Sequence, residues 1–199
     1  LEAEDHGLDL GPLQSSLPEK LRTRDRRIEL VPAPFLEDVA RLSKHREEVS
    51  AGGSLLLVGR RHLRSNNSWM HNHKRLMGGK DRCTLLMHPE DARRLGLEKG
   101  DRVAVISRTG RVEVALEVSD EIGRGAVSLP HGWGHHRLGT RLGVANDRPG
   151  ASANDLTDDL QVDVLSGNAV LNGVSVRVEP VSLWESTSGP KRRCRRSGR

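Results

Sequence analysis

Beyond residue 54 the apolar positions of this chain fall into short clusters whose spacing predicts strands rather than helices. Leu55-Leu56-Leu57-Val58 is an unbroken apolar run stopped by Gly59, the pattern of a buried strand. Thr84-Leu85-Leu86-Met87 predicts a second. Val103-Ala104-Val105-Ile106 and Val112 to Val118 flank Arg108-Thr109-Gly110 and predict a hairpin, whose second arm alternates apolar with charged residues and so has one wet face. Ala126-Val127-Ser128-Leu129, ended by Pro130, and Val174-Ser175-Val176-Arg177-Val178 complete the set. Helical signals are sparse. Residues 34–49 suit a short helix, and His88-Pro89-Glu90-Asp91-Ala92 opens another with Pro at the first position and two acids in the first turn; Arg93 and Arg94 suit its end and Gly96 stops it.

Between these elements the polar stretches are long. Arg60 to Arg82 is one, and His131 to Asn172, rich in glycine, asparagine and aspartate, is another. A loop of that length inside a compact domain usually carries function. Short strands, few helices and long functional loops predict a mainly β fold, a small β-barrel spanning 51–181. Residues 1–50, punctuated by Pro12, Pro18, Pro32 and Pro34, read as a connector from preceding domains. Residues 182–199 read as a basic, disordered tail.

Composition adjusts this picture in three ways. Aromatic residues are 2% of the chain, so aliphatic side chains must fill the core. The net charge of +5 suggests nucleic acid, yet the run from Lys191 to Arg196 supplies much of the excess and leaves a near-neutral body. Cys83 and Cys194 lie too far apart in context to form a disulfide framework or a metal-ligand cluster; Cys83 reads as a small core residue. With no spanning apolar run and no signal peptide, a cytoplasmic location is expected. The chain begins at Leu1, which reads as a segment of something longer.

Three loops hold candidate chemistry. Arg60-Arg61-His62-Leu63-Arg64-Ser65-Asn66-Asn67-Ser68-Trp69-Met70-His71-Asn72 follows a strand and combines guanidinium forks for phosphate with hydroxyls and amides for a heterocycle edge. A solvated loop whose Asn and Ser make turns accounts for it equally well. His131-Gly132-Trp133-Gly134-His135-His136 follows another strand; its glycines let backbone approach a ligand and its indole offers a face to a flat ring. A zinc site would use the same histidines, but no acid or thiol stands close in sequence. Gly150-Ala151-Ser152-Ala153-Asn154-Asp155-Leu156-Thr157-Asp158-Asp159 offers an amide and carboxylates to a guanine-like or pterin-like edge, although on its own a helix cap is the simpler reading. Neither a P-loop nor a Rossmann fingerprint is present.

Together these loops and the unit from His88 to Val103 resemble the C-terminal, molybdopterin-dinucleotide-binding domain of the molybdopterin oxidoreductase family, most closely its formate dehydrogenase and nitrate reductase branch. The likeness covers about residues 54 to 180. It implies a double-psi β-barrel whose loops close over a bis-molybdopterin guanine dinucleotide. Residues matching Arg61, Arg64, Ser65, Asn66, Asn67 and Trp69 would hold the pterin and its phosphates, and those matching His131, Gly132, Trp133, Gly134, His135 and Asn154 would cover it from the other side. The resemblance assigns this chain no catalytic residue and no metal ligand. The iron–sulfur cysteine motif and the molybdenum ligand of full-length members are missing, so the expected partners are the remaining catalytic domains and the chain alone should be inactive. A barrel that recognises nucleic acid through the basic tail is the alternative, and a stand-alone cofactor carrier is a third reading.

Overall fold

The computed structural model describes residues 7–51 and 53–181 and divides the chain into two units, Leu1–Glu47 and Glu48–Arg199. In the first unit, turns at Ser16–Leu21 and Thr23–Arg26 precede the helix α1 (Ala33–Ala51), two residues longer at its end than the sequence pattern predicts. The Pro32 carbonyl accepts from the Phe35 and Leu36 amides, which starts the helix directly after Pro32 and leaves Pro34 in its first turn, where a missing amide costs nothing.

The second unit holds every strand of the described residues. β1 (Leu55–Arg60), β2 (Thr84–Met87), β3 (Arg102–Ile106), β4 (Arg111–Val118), β5 (Ala126–Pro130) and β6 (Val174–Pro180) close into a barrel in the order β1-β5-β2-β4-β3-β6. β1 runs parallel to β5 and β2 parallel to β4, while the other four pairings are antiparallel. This is the double-psi arrangement. The period-2 patterning sets the register: Leu55 and Leu57, Leu85 and Met87, Val112, Val114 and Leu116, and Val174, Val176 and Val178 all point inward and are buried. Each such aliphatic side chain stabilises the barrel by roughly 1.5–3 kcal/mol. β1 extends through Gly59 to Arg60 because the Gly59 amide finds an acceptor in Asn172 Oδ1 at 2.7 Å.

The helix α3 (Pro89–Leu95) forms as the sequence predicts. His88 accepts from the Glu90 amide at 3.1 Å, and Gly96, left-handed at φ 66°, turns its own amide and that of Leu97 back onto the last carbonyls. Asp91, buried at the barrel wall, accepts from the Gly125 amide at 2.7 Å and so joins α3 to the β4–β5 connection.

The strand registers decide where the loops go. β1 and β5 end side by side, Arg60 opposite Pro130; β6 begins beside the end of β1, Val174 opposite Leu57; and the β3–β4 turn closes at Ile106 opposite Arg111, with Ile106 beside Arg177. The β1–β2 segment (61–83), the β3–β4 turn and the β5–β6 segment (131–173) therefore all leave from one rim. The α3 connection and residues 119–125 occupy the other. The β5–β6 segment is not structureless: α4 (Gly143–Asp147) and a short 3-10 helix at Ala153–Leu156 lie within it, and α2 (Lys74–Met77) lies in the β1–β2 segment. Among the described residues no helix is long and apolar enough to cross a membrane.

Candidate functional site

The first rim segment winds tightly. Ser65, Trp69, Met70 and His71 each donate their amide to a carbonyl three to five residues back, and Asn66 and Asn67 take left-handed backbone at φ 43° and 62°, a conformation that asparagine tolerates better than most residues. This winding brings Ser65 and His71 to face each other. Their Oγ and Nε2 share a hydrogen bond at 2.8 Å, and the other ring nitrogen of His71 meets His135 Nε2 at 2.8 Å. The Trp133 indole packs on the His71 ring with centroids 4.1 Å apart.

Glycine makes the remaining contacts between segments possible. A Cβ on Gly132 would overlap the Asn67 carbonyl oxygen, and one on Gly134 would lie 2.6 Å from Ser152 Cβ. On Gly150 it would meet the Trp133 ring at 2.7 Å and Cys83 Sγ at 2.8 Å. His131 bonds Asn67 Oδ1 at 2.9 Å, and Asn72 Oδ1 accepts from the Val144 and Ala145 amides at the start of α4. Three stretches far apart in sequence, 61–73, 131–136 and 149–159, thus form one surface on the rim.

The expected site residues divide by depth. Arg61, Arg64, Asn66, Asn67, Trp69 and Asn154 are exposed, His131, Gly132, Gly134 and His135 are half-buried, and Ser65 and Trp133 are buried. Two expectations change accordingly. Trp133 does not offer its ring to an incoming flat group; at 7% exposure it packs beneath the rim against His71, with its Nε1 buried and unpartnered among the described residues. Ser65 spends its hydroxyl on His71 rather than on a ligand. The carboxylates of the third stretch are also engaged: Asp158 accepts two bonds of 2.5 Å from the Arg108 guanidinium, and Arg137 grips Asp155. Ser152 occupies the cap position of the 3-10 helix without a side-chain bond, so the cap reading holds for its place only.

Positive charge dominates this surface. Arg60 donates to the Ser128 and Thr84 carbonyls, Arg82 to those of Leu76 and Gly78, and Arg148 to those of Met77 and Gly79. Backbone carbonyls use the donors of these guanidiniums without cancelling their charge. Arg61 and Arg64 have no side-chain partner among the described residues. Burial, then the nearby Arg82, Arg60 and Arg64, push the His62 imidazole below its usual pKa. The donor set of free guanidiniums beside exposed amides suits a ligand carrying both phosphate and a heterocycle edge. Cys83 does not contribute a reactive thiol: burial raises its pKa to about 11, and its sulfur accepts from the Ala151 amide at 3.2 Å. It stands one residue before β2 rather than within it. No group of three or more His, Cys, Asp or Glu side chains among the described residues is placed to hold a metal ion.

Sequence reasoning missed His71, which stands in a loop with His62 and His73 nearby. Its only distinguishing signal is the spacing from Ser65 across a pair of asparagines, and that acquires meaning only once their left-handed backbone is known. Arg108 was equally hidden, as a turn residue of a hairpin.

Comparison with known proteins agrees with this geometry. A tetrathionate reductase subunit of Salmonella typhimurium is 27% identical over an aligned length of 112, covering 48% of this chain and 11% of that protein. The molybdopterin-containing subunit of the arsenate respiratory reductase of Chrysiogenes arsenatis is 30% identical over 123 residues, 58% of this chain and 14% of that protein. This chain therefore spans only about a tenth to a seventh of the length of these relatives. Acetylene hydratase from Pelobacter acetylenicus shares the fold at a TM-score of 0.54 and 21% identity, covering 72% of this chain and 20% of its own. The family model described as "Molydopterin dinucleotide binding domain" matches residues 55–175, from the first residue of β1 into β6 and across all three rim stretches. By that match the chain belongs to the molybdopterin dinucleotide-binding domain family.

Proposed function

We propose that this chain grips a bis-molybdopterin guanine dinucleotide with its rim loops, as one part of a molybdenum-dependent oxidoreductase whose other domains complete the site. The observation that carries this reading is the convergence of the 61–73, 131–136 and 149–159 stretches on one cationic rim. Arg61 and Arg64 bind the phosphates through free guanidinium forks, and Asn66, Asn67 and Asn154 present amides that donate and accept to the heterocycle. Gly132 lets the two main loops approach closely, while Ser65, His131, Trp133 and His135 hold those loops in place rather than contacting the ligand first. When bound, the cofactor supplies the metal and the redox chemistry; the chain supplies orientation and charge.

The reductase relatives support the oxidoreductase assignment, and the surface supports a partner. In the barrel unit every exposed large hydrophobic among the described residues lies on the rim segments, with Leu63, Trp69, Leu138, Leu160, Val164 and Leu171 the most exposed. Confinement of apolar exposure to the ligand end fits docking against the remaining catalytic domains. Turnover belongs in this reading to the assembled protein, and the buried Cys83 of this chain serves the core.

The test is retention of molybdopterin guanine dinucleotide by the purified chain, read as pterin fluorescence after gel filtration. Arg61→Ala/Arg64→Ala should weaken retention by about 10- to 100-fold, as expected for loss of charged hydrogen bonds, while leaving barrel stability within about 0.5 kcal/mol. Equal retention by the variant and the parent chain would refute the assignment.

A further inference from the structure

The described residues place His71 where no solvent reaches it, yet it sits between two loops made largely of exposed polar groups. Its ring is held on three sides: by the Ser65 hydroxyl, by His135 at right angles with centroids 5.1 Å apart, and by the face of Trp133. Each ring nitrogen has one side-chain partner, and a neutral imidazole, with one donor and one acceptor, satisfies both of these bonds at once. Of the other ties between these segments, Asn67 to His131 and Asn72 to α4 involve exposed or half-buried groups, while the Ala151 amide reaches the buried Cys83 sulfur farther along both segments. In the His71 bridge the Ser65 hydroxyl and the imidazole are buried, and His135 is half-buried.

Burial and the neighbouring cations oppose the charged state, which the Gly132 backbone hydrogen bond favours. The titratable groups facing the ring are His135 from the second loop and Arg82 and His62 from the first segment, all cationic or cationic in acid, and no carboxylate stands among them. Burial first, then His135 and Arg82, lower the His71 pKa to about 4 from 6.5, against a smaller opposing pull from the Gly132 backbone.

We propose that His71 is a positioning residue of the rim: a buried two-ended bridge that fixes the first loop against the second, and whose protonation, by placing a charge among buried groups and other cations, strains the junction and so loosens the loops' hold on a ligand. The ligand clause rests on the cofactor assignment, whereas the loop clause stands without any ligand. His71→Gln keeps one donor and one acceptor but cannot titrate; His71→Phe keeps the bulk and removes both bonds.

The experiment uses the full chain with Trp69→Phe and Trp184→Phe, leaving Trp133 as the only fluorophore in contact with His71. An imidazolium against an indole quenches its emission. Emission should fall as pH drops from about 6.5 with a midpoint near 4, and His71→Gln should abolish that transition. Amide exchange of residues 65–71 and 131–135 at pH 7, corrected for intrinsic rates, should rise about tenfold or more in His71→Phe, the effect of stranding buried polar groups. Strand amides serve as the folding control. A quenching transition that persists in His71→Gln, or unchanged loop exchange in His71→Phe, overturns the proposal. Should His71→Phe not fold, the imidazole carbon shift of His71 in the unsubstituted chain decides: a midpoint near 4 supports the bridge, and one near 6.5 overturns it. None of these readouts involves cofactor, so a failure of dinucleotide binding with the His71 results intact would count against the cofactor assignment alone.

Discussion

Replacing Gly132 by alanine tests whether the two main rim loops touch backbone to backbone. At this position φ is +87°, and the added Cβ would overlap the Asn67 carbonyl oxygen and lie 2.5 Å from its carbon and 3.2 Å from the Ser68 nitrogen. No side chain can rotate away, so the loops themselves must part. The left-handed backbone costs roughly 1–2 kcal/mol for any L-residue with a Cβ. Forcing apart a packed contact adds about 1–3 kcal/mol, for a total of roughly 2–5 kcal/mol. Gly139 supplies the control, because it has φ +91° with nothing within 4 Å of the added Cβ and should lose only the backbone part, roughly 1–2 kcal/mol. Urea unfolding at pH 7 measures both, as a change in midpoint at constant slope. Equal losses in Gly132→Ala and Gly139→Ala would mean that the loops do not meet at this point, and the shared rim surface would have to be abandoned.

Two further perturbations probe the same end of the barrel. The Arg108 guanidinium, by hydrogen bonding, holds the Asp158 carboxyl at about 2, below its ordinary 3.8. Stability from this pair is full above the ordinary value and is lost as pH falls through the lowered one. Asp158→Asn should therefore lower the melting temperature at pH 7, and the gap to the parent chain should narrow below pH 3.8; a gap that stays constant down to pH 2 would contradict the pairing. Asn72→Ala removes the acceptor for the first amides of α4 and should cost about 1 kcal/mol in unfolding experiments, the usual worth of a cap, with faster exchange confined to the Val144 and Ala145 amides.

How far the sequence could be read depended on whether a residue's role is set by its neighbours in the chain or by distant ones. Val112, Val114 and Leu116 declare an inward face by alternation, and His88 through Gly96 carries a complete set of helix start and stop signals, so both elements formed where expected. The rim stretches stood out as candidate ligand loops because glycine, arginine and asparagine cluster just after strand ends. The depth of each side chain was not. Trp133 looked like a free face because glycines flank it, yet those glycines let the backbone approach closely enough for the indole to be buried against His71 and Gly150. The carboxylate of Asp158 looked available because its partner, Arg108, stands fifty positions earlier. α4 was missed because its first amides are satisfied by Asn72 rather than by a local cap. The basic tail, on which the nucleic-acid alternative depends, and Cys194 lie outside the described residues.

The closure of β1 against β6 has a consequence for biogenesis. The opening strand finds its antiparallel neighbour only in the closing one, and its parallel neighbour β5 lies some seventy positions away. Such high contact order makes assembly slow and nearly all-or-none. Translation must therefore pass Val178 before the rim that carries the three converging loops can take its final shape.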